Sequence, residues 1–115
     1  MGTIKHLDLA LLEGYLEALD IDVLRQMLDL YQQQSQLYLS EIDGAIVNMD
    51  QKDWQEQCHK MKGSAASAGL VQVYAKLVVI EKSTDDVTIK QGYLHELTML
   101  NTEAIDALQH WLATQ

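Results

Sequence analysis

The residues of this chain best suited to chemistry lie in the segment Cys58 to Gly69, which reads CHKMKGSAASAG. On a helix, Lys62 and Gly63 stand three and four positions beyond His59, one turn above it on the same side. Ala66 extends that line by another turn. An imidazole near its ordinary pKa of about 6.5 is a competent nucleophile at neutral pH. Lys62 offers a charge-assisted hydrogen bond to an anion. Glycine inside a helix costs about 0.5–1 kcal/mol relative to alanine, so Gly63 asks for a reason. Room above an imidazole, beside a cation, suits a phosphoryl group carried on the ring. A plain surface histidine next to small residues used for close helix packing would give the same spacing. Both readings stand on the spacing alone.

Other chemistries fit poorly. Cys58-His59 is the tail of a C-x-x-C-H haem motif, but position 55 is Gln where a Cys is needed. The run AASAG resembles a degenerate G-x-S-x-G elbow without the strand that must precede it. Gly63 to Gly69 has the wrong spacing for a P-loop, and no G-K-[ST] follows. His95 with Glu96, and Asp85 with Asp86, read as solvated polar positions rather than a metal site. His6 and His110 lie near the ends and receive no role. Cys58 belongs to the core.

The elements that must position His59 are helices. There is no Pro, only six Gly, and an abundance of Leu, Ala, Gln, Glu and Met, all good helix formers. Asp8 caps a short helix carrying Leu9, Leu12, Leu16 and Leu19. Asp20 or Asp22 opens a long one, with Val23, Met27, Leu30, Leu37, Ile42, Ile46 and Met49 near one side. Asp50 starts a third, on which Trp54, Cys58, Met61, Ala65 and Ala68 face inward, leaving His59 at the margin and partly exposed. Gly69 breaks it. A fourth runs from about Val71 to Lys82 with Val73, Leu77 and Ile80 inward, and Ser83 to Thr88 form a polar turn. The last spans roughly Gln91 to Leu112 and carries Leu94, Leu97, Leu100, Ile105, Leu108 and Trp111. The expected fold is all-α: an antiparallel up-down four-helix bundle over about 20–113, with a short cap helix at about 8–19.

At 115 residues and 48% hydrophobic composition, residues 1–115 make one globular domain able to close its own core. Eight Lys and Arg stand against seventeen Asp and Glu, a formal net charge of −9. That field repels phosphate backbones and anionic membrane surfaces, so neither nucleic acid nor membrane is expected as a partner. No apolar run nears the roughly 18 residues that would span a bilayer. The N-terminus has no signal-peptide pattern. One cysteine allows no internal disulfide, which fits a reducing compartment, with cytoplasm the default.

CHKMKGSAASAGL resembles the H-x-x-K-G-S/A-x-x-x-x-G signature of histidine-containing phosphotransfer (HPt) domains, with His59, Lys62, Gly63, Ser64 and Gly69 at the matching positions. The order of elements is similar over almost the whole chain. The opening LDLALLEGYLEAL looks like that of the C-terminal HPt domains of tripartite hybrid sensor kinases of the anoxic-redox and TMAO-sensing types. The resemblance implies a phosphocarrier without a nucleotide site. His59 would take a phosphoryl group from one receiver-domain aspartate and pass it to that of a response regulator, with Lys62 steadying the phosphoryl oxygens. It implies no cofactor or metal of its own, Mg²⁺ being brought by the receiver. It also implies a Gln or Glu on the next helix that holds one ring nitrogen. At the family's offset, twenty-two residues downstream, stands Glu81. A receiver would dock over the histidine and touch the cap helix, where Leu11 and Tyr15 lie off the buried stripe. Leu11, Tyr15, His59, Gly63 and Ala66 are thus expected to share one docking patch. Met1-Gly2-Thr3 reads as an appended start, so the expectation is a monomeric domain cut from the cytoplasmic part of an inner-membrane sensor. The competing class is a helical scaffold whose histidine is incidental. Uptake of phosphoryl from a labelled receiver separates the two.

Overall fold

The structure, a computed structural model, describes residues 5–115. Among them are five helices and no strand: α1 (Leu9–Ala18), α2 (Ile21–Val47), α3 (Gln51–Ser67), α4 (Val71–Ile80) and α5 (Val87–Ala113). At about 1.5 Å per residue, a helix of 27 residues is roughly 40 Å long, and the molecule measures 43 Å along its longest axis. The two long helices therefore run its full length. α2 packs against α3 and α5, α3 against α4, and α4 against α5, while α1 leans on α2.

The aspartates start the helices as their short side chains allow. Asp8 accepts from the Leu11 amide, Asp50 from Asp53 and Asp86 from Ile89. Asp20 precedes α2 without a side-chain capping bond. Two helices end in left-handed turns. After α3, Gly69 takes φ +73, and the Leu70 amide reaches back to the Ala65 carbonyl at 3.0 Å. A Cβ on Gly69 would meet Leu12 at 3.3 Å, so glycine serves both the turn and the seat of α1. After α2, Met49 makes the same turn at φ 50, with Asp50 bonded to the Ala45 carbonyl.

The inward faces of α3, α4 and α5 are those the periodicity predicts, with Trp54, Cys58, Met61, Ala65, Val73, Leu77, Ile80 and Leu97 fully buried. The stripe on α2 differs. Leu24, Leu28, Tyr31, Ser35, Leu39, Ile42, Ala45 and Ile46 face the core, whereas Val23, Leu30, Leu37 and Met49 are exposed. The cause is a polar bridge. Tyr31 donates to Asn101 Oδ1 at 2.7 Å, and Asn101 donates to Ser35 Oγ at 3.0 Å, joining α2 to α5 inside the core. Pairing satisfies these groups, so α2 turns toward them and leaves part of its apolar surplus in solvent. Burial raises the Tyr31 pKa and keeps the donor protonated.

Two boundaries differ as well. α4 ends at Ile80 rather than Lys82, and α5 begins at Val87 rather than Gln91 because Asp86 caps it. The polar turn is thus shifted toward the N-terminus, and Glu81 is its first residue.

Candidate phosphotransfer site

α3 buries Cys58 completely, and one residue further round the helix His59 points out, its side chain 71% exposed. The chain reverses after Gly69 and returns along α4, which brings Glu81 beside His59. The Glu81 carboxylate is shared: Oε1 lies 2.9 Å from His59 Nδ1, and Oε2 accepts from Lys62 Nζ at 2.7 Å. The Glu81 side chain is only 14% exposed. Burial is the largest single influence on it and pushes its pKa up, but hydrogen bonds from Lys62 and His59, with their charges, together pull it below the ordinary value. It is therefore ionised at neutral pH. An ionised carboxylate can only accept. The proton between the two must sit on Nδ1, which leaves the Nε2 lone pair directed away from the carboxylate.

Space surrounds this group. A Cβ on Gly63 would meet nothing within 4 Å, and Gly63 and Ala66 are both exposed. Lys62 does not stand free beside the ring, as its spacing alone suggests; it is tied to Glu81 and about one-fifth exposed. Tyr15 is anchored to α3 by donating to the Ser67 carbonyl at 2.8 Å. Tyr15 and Gly63 line one apolar groove of about 380 Å³ beneath α1, together with Leu24, Met27, Leu30 and Lys60. Leu11, His59 and Ala66 do not line it; Leu11 is half-buried on α1. The structure thus places Tyr15 and Gly63 together and leaves the other three members of the expected patch outside the groove.

Met27 and Leu30 escaped the sequence reading as groove residues because it turned them inward. Their offset from the Leu24–Leu28–Tyr31 stripe was the available signal. Charge is also uneven along the chain. Five of the eight Lys and Arg fall between Lys52 and Lys82, against three of the seventeen carboxylates, so the helices that build the site are locally cationic on an acidic molecule. Among the described residues no group of His, Cys, Asp and Glu could hold a metal ion, and no helix is long and apolar enough to cross a membrane.

The arrangement is an imidazole held by its Nδ1 proton, with Nε2 in the open beside a lysine and a bare glycine. The Hpt domain family model matches residues 26–112, most of the chain, and the chain belongs to that family of phosphotransfer domains. The fold is similar to the histidine-containing phosphotransfer domain of ArcB from Escherichia coli, with a TM-score of 0.87 and 22% identity over 99% of this chain and 98% of that one. A solution structure of that domain of the anaerobic sensor kinase ArcB from the same organism gives a TM-score of 0.80 and 24% identity over 94% and 88%. No curated protein matches the chain.

Proposed function

We propose that His59 is the phosphoryl carrier of a phosphorelay, accepting from a receiver-domain aspartate and donating to the aspartate of a response regulator. The observation that carries this reading is the Nδ1 contact with a largely covered, ionised Glu81, which leaves Nε2 as the nucleophile. In the forward step the Nε2 lone pair attacks the phosphorus of an aspartyl phosphate. The N–P bond forms as the O–P bond to the aspartate breaks, and the aspartate leaves as carboxylate. The ring keeps its Nδ1 proton and becomes cationic, and Glu81 stabilises that charge at 2.9 Å. Donation to the regulator is the same exchange in reverse. Lys62 holds Glu81 in its ionised form and, one turn from His59, is within a side-chain swing of the phosphoryl oxygens. Chemistry needing Mg²⁺ belongs on this reading to the receiver.

The open backbone at Gly63 and the apolar groove under α1 support docking of the receiver across α1, α2 and α3, and the cationic bias of α3 and α4 favours its acidic pocket. The short connections and the ring of helix contacts support an antiparallel up-down order for α2 to α5. We take residues 1–115 as one monomeric carrier domain of a hybrid sensor kinase, working in the cytoplasm. The deciding experiment offers a receiver carrying labelled aspartyl phosphate. Acid-labile, base-stable label should appear on the wild type and be absent from His59→Gln. Label on the variant would place the phosphoryl elsewhere.

A further inference from the structure

Glu81 caps the C-terminus of α4, its amide donating to the Leu77 carbonyl at 3.0 Å. It follows the last residue of α4, and beyond it the chain turns through Lys82–Asp86 before α5 begins. A helix end frays readily, so a carboxylate there orients a histidine poorly unless that end is fixed, and beyond the Leu77 bond what fixes it comes mostly from α3. Trp54, fully buried, donates its indole N–H to the Ile80 carbonyl at 3.1 Å. Gln51, one turn earlier on α3, donates its amide to the Ser83 carbonyl at 2.9 Å. Glu81 stands between these two anchored carbonyls. The Ser83 amide returns to the Ile80 carbonyl at 3.0 Å, and Ser83 and Asp85 bond each other. The helix that carries the nucleophile also grips the segment that carries its orienting group.

The third member is Lys90, from α5. It is buried, and among the described residues it makes no ion pair. Its Nζ donates to Gln51 Oε1 and lies 5.0 Å from the centre of the Trp54 ring. Burying a cation against neutral acceptors is unfavourable unless they are well placed. Lysine can only donate, so it claims the amide oxygen of Gln51 and obliges the NH₂ to face Ser83. Lys90 thus sets the direction of the Gln51 amide and sits against the ring whose N–H holds Ile80.

We propose that Gln51, Trp54 and Lys90 form a clasp that positions Glu81 and so fixes which nitrogen of His59 is free. They are positioning residues: none touches the imidazole. The functional consequence rests on His59 being the phosphoryl acceptor, but the geometric claim has its own readout. In ¹⁵N-labelled protein at pH 8, long-range ¹H–¹⁵N spectra report the tautomer of each histidine, with His59→Gln giving the assignment. Wild-type His59 should be mainly Nδ1–H. Trp54→Phe, which removes the indole donor but keeps an aromatic ring, and Lys90→Met, which keeps the apolar stem, should each shift the ratio toward Nε2–H by about threefold or more, with transfer slowed by roughly three- to tenfold. Lys90→Arg, retaining a cationic donor over the ring, should restore both. Folded Trp54→Phe and Lys90→Met proteins with the wild-type tautomer overturn the clasp, whatever their melting temperatures. If Trp54→Phe does not fold, Lys90→Met decides alone. A tautomer shift in a protein whose wild type never takes up phosphoryl upholds the clasp and removes the carrier reading.

Discussion

Among the described residues are two histidine–glutamate pairs, and they are built in opposite senses. At the site, the histidine is exposed and the glutamate largely covered: the side chains of His59 and Glu81 are 71% and 14% exposed. Where the N-terminal segment meets α5, His6 lies 3.2 Å from Glu103 through Nε2, with the histidine 7% and the glutamate 54% exposed. The tautomers are reversed too. A carboxylate partner puts the proton of His6 on Nε2, and its Nδ1 is buried with no hydrogen-bond partner among the described residues. His6 adjoins Leu7, which is buried and bridges to Leu70, and the next residue, Asp8, donates its amide to the Gly69 carbonyl at 2.8 Å. One pair holds a ring out to solvent; the other draws a ring inward to fasten the chain. On the proposed function, covering the partner rather than the imidazole separates a nucleophile from a staple.

The contrast breaks most sharply on exchange of the histidines. His59→Gln should abolish phosphoryl uptake while leaving stability within about 0.5 kcal/mol of wild type, since an exposed side chain contributes little to it. Labelled transfer and urea unfolding together measure this. Gly63→Gln comes next: it fills the space above the ring, and transfer should fall by about 10²-fold through misplacement of the receiver. Because a Cβ there meets nothing within 4 Å, the melting temperature should hold or rise. A stable variant with normal transfer would remove Gly63 from the docking surface.

Glu81→Ala should slow transfer by about tenfold, the loss of one hydrogen bond to a charged group, and a wild-type His59 tautomer in that variant would refute the orienting role. Lys62→Ala should slow it less. His6→Ala should do the reverse of His59→Gln, lowering stability by roughly 1–3 kcal/mol with transfer rates unchanged once the protein is folded. The smallest effect is in pH. Glu81 has a lowered pKa in the fold, so as acid is added the unfolded chain takes up its proton first, near the ordinary value of about 4.3. The stability from its two bonds is present above that value and is lost as pH falls through the lowered one. Unfolding midpoints between pH 6 and pH 3 should therefore fall less steeply in Glu81→Gln than in wild type.

Much of the arrangement was legible in the sequence where one helix face decides the matter. Trp54, Cys58, Met61 and Ala65 repeat by fours and threes, and that spacing alone orients His59 outward. α2 was less legible because it carries more apolar residues than one face can bury, and because Tyr31 and Ser35 look polar until Asn101, some seventy residues away, is seen to satisfy them. Glu81 was accessible through the family resemblance at its offset from His59. The claim that Lys62 makes on its second oxygen was not, since that contact spans two helices and a turn. The clasp under the turn was invisible for the same reason: Gln51, Trp54 and Lys90 come from two helices and show no common spacing.

The one thiol of the molecule stands next to His59 and faces the opposite way. Burial, reinforced by the negative charge of Glu81 and only partly offset by Lys90, pushes the Cys58 pKa up to about 12. It has no exposed surface. A thiol so placed offers almost no thiolate at neutral pH and no path for an alkylating reagent. Modification must wait until α3 lifts from the core, so the rate at which Cys58 is labelled counts the openings of the helix that carries His59. The chain thereby holds its own internal clock of unfolding, one residue from His59.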